Sequence, residues 1–209
     1  NGSSATLEVL QTFGYGTEKV DPRFDYCYFA DEVYDLQGNP ILLDDGTPLV
    51  YYPEAIALDV SNSVYEQTAG ARMKKYEVDN TALKDGKLMD NDIVLFRYAD
   101  VLLMMSEAKV RNGEDGTGEL NEVRARVGAS YREATLENLL DERQMELAWE
   151  GWRRQDLIRF RINGTNQNVY NGKSWFCKDA KTDKTDRHCD IFPLPKSALD
   201  GNIKLKQNP

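Results

Sequence analysis

Val94-Leu95-Phe96-Arg97-Tyr98-Ala99-Asp100-Val101-Leu102-Leu103-Met104-Met105-Ser106-Glu107-Ala108 is the stretch on which the fold turns. Val94, Tyr98, Val101, Leu102, Met105 and Ala108 follow the i, i+4, i+7 spacing of one helical face. Leu95, Ala99 and Leu103 widen that face greatly, while Arg97, Asp100, Glu107 and Arg111 fall in one narrow stripe. A helix apolar around most of its girth sits between other helices. This segment is therefore expected at the centre of the domain, with its wide apolar face buried. Glu107 and Arg111 add a favourable i,i+4 pair.

Downstream, Asn112-Gly113 ends the helix, with Gly113 suited to the position just past a helix end. Thr117 is the expected N-cap of a second helix carrying Leu120, Val123 and Val127 and stopping at Gly128. So short a connection makes the two helices an antiparallel αα-hairpin. Together they span about the ~34 residues of one tetratricopeptide repeat. Thr135 caps a third helix that turns Leu136, Leu139, Leu140 and Leu147 inward until Gly151 breaks it. A fourth, short helix runs from Trp152 to about Phe160, with Leu157 and Phe160 inward. Beyond Ile162 the chain reads as loop, and Pro193 and Pro195 force an extended path.

Upstream, the first ninety residues read as irregular and rich in Tyr and Phe, with turn signals at Gly14-Tyr15-Gly16 and Gln37-Gly38-Asn39-Pro40. Ile41-Leu42-Leu43 and Leu49-Val50-Tyr51-Tyr52 flank Asp44-Asp45-Gly46 as a small β-hairpin. The chain thus divides into a loop-rich aromatic segment (1–91), a helical core (92–162) and a loop with an extended tail (163–209).

At 209 residues with 41% hydrophobic side chains, the chain is large enough to bury a substantial core. A net charge of −9 with no local basic patch argues against nucleic acid and anionic membrane surfaces as partners. No apolar run reaches the length of a transmembrane helix. The Asn1-Gly2-Ser3-Ser4 start, without signal peptide or lipid-attachment cysteine, reads as the interior of a longer protein.

Residues able to do chemistry are few. One histidine, His188, and three cysteines without CxxC spacing argue against a metal site, and no cofactor is expected. Cys177 and Cys189 are spaced either for a disulfide or as free thiols. Asp44, Asp45 and the Asp179 to Asp186 stretch do not match a regular calcium loop. Glu142, Glu146 and Glu150 share a helical face, a pattern that suggests the paired carboxylates of glycosidic hydrolysis. Arg143, Arg153, Arg154 and Arg159 lie beside them, however, and Arg–carboxylate bridging is their expected use. No nucleophile elbow, phosphate loop or zinc-protease motif occurs, so an enzyme is not expected. Tyr51, Tyr52 and Trp175, in turn-rich sequence, are the candidate ligand-binding residues, because flat aromatic faces stack on sugars or grip peptides. The competing use of each is to cover the helical core.

Three stretches resemble the SusD/RagB family. Phe96-Arg97-Tyr98-Ala99-Asp100-Val101-Leu102-Leu103 with Ser106-Glu107-Ala108 is similar to one of its helices, and Leu120-Asn121-Glu122-Val123-Arg124-Ala125-Arg126-Val127-Gly128 to the partner helix. Glu142-Arg143, Glu146-Leu147, Glu150-Gly151, Arg153, Asp156-Leu157 and Arg159 resemble its third signature. Asp21-Pro22-Arg23-Phe24, Phe192-Pro193-Leu194-Pro195, and Asn202 with Gln207-Asn208-Pro209 resemble its flanking elements, although Ile203 stands where Pro is usual. The resemblance implies a mainly α fold, the C-terminal part of a SusD-like helical architecture containing tetratricopeptide repeats, with long loops. It also implies a lipid-anchored protein on the outer face of the outer membrane in Bacteroidetes-type bacteria. Such a protein would capture glycans, or in some members peptides, for a SusC-like TonB-dependent transporter. The N-terminal remainder of the same chain is a further expected partner, and a purely structural docking module is the competing use. Arg97, Glu142, Arg143, Glu150, Arg153 and Asp156 are expected to form a charged network fixing the helices around Gly151, where helix ends expose unpaired backbone groups.

Overall fold

The structure is a computed structural model that describes residues 3–35, 37–55, 68–76, 79, 81, 89–162 and 192–208. His188, Trp175, the Asp179 to Asp186 stretch and the Cys177–Cys189 question lie outside the described residues.

Four helices carry the core: α3 (Tyr98–Arg111), α4 (Thr117–Arg126), α5 (Leu136–Glu146) and α6 (Arg153–Ile162). α3 and α4 form the antiparallel hairpin, turned at Gly113, whose φ of 77° is easy only for glycine. Thr135 caps α5 by accepting a hydrogen bond from the Asn138 amide at 3.1 Å. Leu102, Leu103, Leu120, Val123, Leu139, Leu140, Leu157 and Phe160 close one apolar cluster among these helices. α5 ends at Glu146, and the turn after it contains two positive φ angles, Trp149 at 65° and Gly151 at 81°. Left-handed backbone strains a tryptophan, and this one is tethered: its indole N–H donates to the Cys27 carbonyl at 2.9 Å.

The N-terminal region is more ordered than its sequence texture suggests. It contains helices α1 (Leu7–Thr12) and α2 (Phe24–Cys27), where the sequence predicts irregular chain. Strands β1 (Ser4–Ala5), β2 (Tyr28–Phe29) and β5 (Ala71–Met73) form a small antiparallel sheet in the order β1-β5-β2. A second pair joins β3 (Asp31–Glu32) to β4 (Val50–Tyr51). The hairpin about Asp44-Asp45-Gly46 is closed by Leu43 N–H to Thr47 at 2.8 Å and Leu49 N–H to Ile41 at 2.7 Å. Strands of two or three residues are too short for an alternating pattern to stand out. Leu10, Phe13, Phe24, Cys27, Tyr28 and Ala71 pack with Met145 and Ala148 into a second apolar cluster. α5 therefore feeds both clusters, one from each end. In the tail, a short helix α7 (Lys196–Gly201) follows the extended prolines, where the sequence predicts only an extended path. The Gln207 side chain accepts from Leu194 N–H at 2.7 Å and donates back to its carbonyl at 3.1 Å, holding the chain end against the prolines.

Two expectations are corrected. Of the six residues assigned to the buried face of α3, only Leu102 is buried, while Tyr98, Val101, Met105 and Ala108 face outward. The inner side instead carries Asp100, Leu102, Leu103, Ser106 and Glu107. Asp100 and Glu107 tolerate burial because arginines from other helices meet them. Thr117 is not the cap of α4: Gly116 holds that position, and Asp115 Oδ1 accepts the Thr117 amide at 2.9 Å.

Candidate functional site

The most organised polar region surrounds α5. Glu142 and Glu146 sit one turn apart on it, and Glu150 follows in the turn beyond. Arg23, delivered by the Asp21-Pro22-Arg23 segment before α2, places Nη1 2.7 Å from Glu142 and 2.9 Å from Glu146. Asp21 holds the other edge of that guanidinium with two bonds of 2.8 Å. Arg124, from α4, reaches the second oxygen of Glu142 and donates to the Ser130 carbonyl at 2.6 Å. Arg97, immediately before α3, pairs Glu146 through Nη1 at 2.5 Å and Glu150 through Nε at 2.9 Å. Lys75 adds a contact to Glu150 at 2.5 Å.

A second group lies on the α3–α6 side. Arg143 bridges Asp100 at 2.7 Å and Asp156 at 2.8 Å, all three buried. Arg159 joins Asp156 at 2.8 Å to Glu107 at 2.6 Å, and Arg111 also reaches Glu107 at 2.7 Å. Arg153, placed in the same network by its sequence position, donates to the Leu140 carbonyl at 3.2 Å.

The electrostatics follow from this pairing. Burial alone would raise the Glu146 carboxyl, but the guanidiniums of Arg97 and Arg23 outweigh it and hold the group below the usual range. Glu107 behaves alike, with burial opposed by Arg159 and Arg111, and Asp21 with burial opposed by Arg23. A proton donor in glycosidic hydrolysis needs a carboxyl raised toward neutrality; these are displaced the other way. The arrangement clamps helices together.

The proposed aromatic contacts are dispersed. Tyr51 and Tyr52 are consecutive in extended chain, which sends their side chains to opposite faces. Tyr51 carries the Arg72 guanidinium 5.2 Å from its ring centre, while Tyr52 is 41% exposed. An open cleft of about 660 Å³ is bordered by Arg23, Tyr26, Lys75, Arg97, Arg126 and Glu150. Its rim residue Tyr26 is exposed. Sequence reasoning points to Arg97, Glu142, Arg143, Glu150, Arg153 and Asp156 for the network, to Arg159 as a bridging arginine and to the Glu107–Arg111 pair, which forms, but not to Arg23, Lys75, Asp100 or Arg124. The Asp21-Pro22-Arg23 element was the available signal for the first of these.

A helix-rich chain with a few short strands, its helices locked by arginine–carboxylate pairs, has the SusD-like helical fold. Residues 14–209 match the SusD family, and the chain belongs to it. Among curated relatives it is 31% identical over 139 residues to the starch-binding protein SusD of Bacteroides thetaiotaomicron, an alignment covering 66% of this chain and 25% of that protein. Among solved structures it is similar to surface glycan-binding protein A from Bacteroides uniformis, with a TM-score of 0.63 at 24% identity, covering 95% of this chain and 40% of that one. A SusD superfamily protein from Bacteroides vulgatus aligns with a TM-score of 0.59 at 23% identity, covering 96% of this chain and 40% of that one. The chain thus spans well under half the length of these relatives.

Proposed function

We propose that this chain is the C-terminal region of a cell-surface lipoprotein that captures oligo- or polysaccharide and delivers it to a SusC-like TonB-dependent transporter, without catalysis. The observation that carries the reading is the 31% identity to a starch-binding protein within a family match covering residues 14–209. The arginine-paired carboxylates around α5 support a scaffold role for the charged residues. No helix among the described residues is long and apolar enough to cross a membrane, which agrees with attachment through a lipid elsewhere in the protein. Tyr51, Tyr52 and Trp175 are the proposed ligand contacts of this region, with Tyr52 the most open of the described pair.

Calorimetric titration of the full-length protein with starch-type glucans, other polysaccharides and oligopeptides tests this. Saturable heat with at least one polysaccharide is expected. Binding to peptides alone, or to nothing in the panel, overturns it. Loss of an aromatic stacking contact in Tyr52→Ala is expected to weaken glycan binding by roughly 0.5–1.5 kcal/mol.

A further inference from the structure

A chain of net charge −9 carries a local excess of positive charge beside α5. In the connected ion pairs there, Arg23, Lys75, Arg97, Arg124 and Arg126 meet only Asp21, Glu142, Glu146 and Glu150. The excess is visible at Glu146. Its Oε2 takes Arg23 at 2.9 Å, while its Oε1 takes both Arg97 at 2.5 Å and Arg126 at 2.8 Å. Arg23 has Glu142 as a further carboxylate and Arg97 has Glu150. Among the described residues, Arg126 has only the shared Oε1. That bond uses Nη2 alone, so most donors of the guanidinium fork are left over. Arg126 ends α4 with its side chain 60% exposed.

This arginine stands on the open cleft of about 660 Å³, and two tyrosines, Tyr26 and Tyr76, border the same space. α2 turns Phe24 and Cys27 inward and leaves Tyr26 74% exposed. Lys75, anchored at 2.7 Å on the Glu146 carbonyl and paired with Glu150, adds a second cation to the lining. A small inorganic anion would engage Arg126 and leave the aromatic surface unused. A neutral sugar would stack on tyrosine and leave the charge unused. A sugar ring bearing a carboxylate uses both, because the guanidinium fork matches a carboxylate and the ring offers a C–H face. Neither Tyr51 nor Tyr52 borders this cleft.

We infer that the cleft between Tyr26 and Arg126 is a binding site for the uronic acid units of an acidic saccharide. The carboxylate pairs with Arg126, with Lys75 as the second cation, and the sugar ring stacks on Tyr26. The phenols of Tyr26 and Tyr76 are partners for ring hydroxyls. Arg97 and Glu150, already fixed on each other, hold the cleft wall in place. The inference rests on the glycan-capture reading and narrows its ligand to carboxylated sugars.

Calorimetric titration of the full-length protein with tetragalacturonate and tetramannuronate tests this, with their methyl esters and tetraglutamate as controls. At least one tetrauronate is expected to bind roughly 10-fold more tightly than its ester and than tetraglutamate. Its affinity should fall as salt rises, because Arg126 is open to screening. Arg126→Ala is expected to weaken that binding about 10-fold and Tyr26→Ala about 5-fold, with thermal melts establishing that both variants are folded. Equal binding of the ester or of tetraglutamate overturns the inference, as does an unchanged affinity in either variant. Binding of a neutral polysaccharide with no tetrauronate bound also overturns it and leaves the glycan reading standing. Binding of peptides alone, or of nothing, overturns both.

Discussion

The Arg23 guanidinium meets the Glu142 carboxylate at 2.7 Å across 119 positions of sequence. Both side chains are buried, and the same guanidinium also reaches Asp21 and Glu146. This single cation ties the N-terminal cluster built on Phe13, Phe24 and Tyr28 to the helix that feeds both cores. Removing it would leave Glu142 and Glu146 short of a partner in a low-dielectric site.

Arg124 still meets Glu142 and Arg97 still meets Glu146, so neither carboxylate is stranded, and Arg23→Ala is expected to destabilise the protein by about 1.5–3 kcal/mol, the scale of lost charged hydrogen bonds in a buried site. Arg126→Ala removes a partner of the same Glu146, but from a side chain that is 60% exposed. Solvent screens such a pair, and a loss under about 1 kcal/mol is expected. Urea melts of the two variants measure the contrast; equal losses would mean that burial does not govern the network.

Acid should loosen the same joint. Asp21, Glu107 and Glu146 all titrate below their ordinary ranges in the folded protein. The unfolded chain therefore binds protons first as pH falls, and the stability these groups contribute is present above their unfolded values. That contribution begins to fade below about pH 4.5 and is lost as pH passes through the depressed folded values. The urea midpoint is expected to drop steeply below that point. Glu146→Gln should lower stability at pH 7 and flatten the acid slope, because one of the buried depressed carboxylates is gone.

How far the sequence revealed this depended on whether a feature was local. The Leu and Phe spacing of α5 and α6 placed Leu139, Leu140, Leu157 and Phe160 inside, where they are. For α3 the same periodicity indicated which residues are apolar but not which side is covered. Asp100 and Glu107 go inward because Arg143 and Arg159 arrive from 43 and 52 positions away, a relation that no window of sequence contains. The i,i+4 carboxylates of α5 were visible, whereas their partner Arg23 comes from the far end of the chain. Tyr51 and Tyr52 looked like a pair because they are neighbours, and extended backbone is what separates them.

The Thr135 cap is one of the locally written features. Its side-chain oxygen accepts the Asn138 amide, relieving one of the unpaired donors at the start of α5. Thr135→Ala is expected to lower stability by about 1 kcal/mol, and Thr135→Ser to restore most of it. Thermal melts of the three proteins check the order.

Gly116 and Gly118 lie two residues apart at the start of α4 and should respond to alanine in opposite ways. A Cβ on Gly116 would stand 2.4 Å from the Ser106 carbonyl oxygen and 2.8 Å from its Oγ. That hydroxyl also donates to the Gly116 carbonyl at 2.7 Å, so α3 and the start of α4 are in backbone contact here. The clash is with main chain, which moves only if the hairpin opens, and Gly116→Ala is expected to lose about 1–3 kcal/mol. A Cβ on Gly118 meets nothing within 4 Å. There the substitution only removes glycine's backbone freedom from a helical position, and Gly118→Ala should gain up to about 1 kcal/mol. Denaturant titration of both variants decides the point. A neutral or stabilising Gly116→Ala would mean that α3 and α4 are not held at this separation.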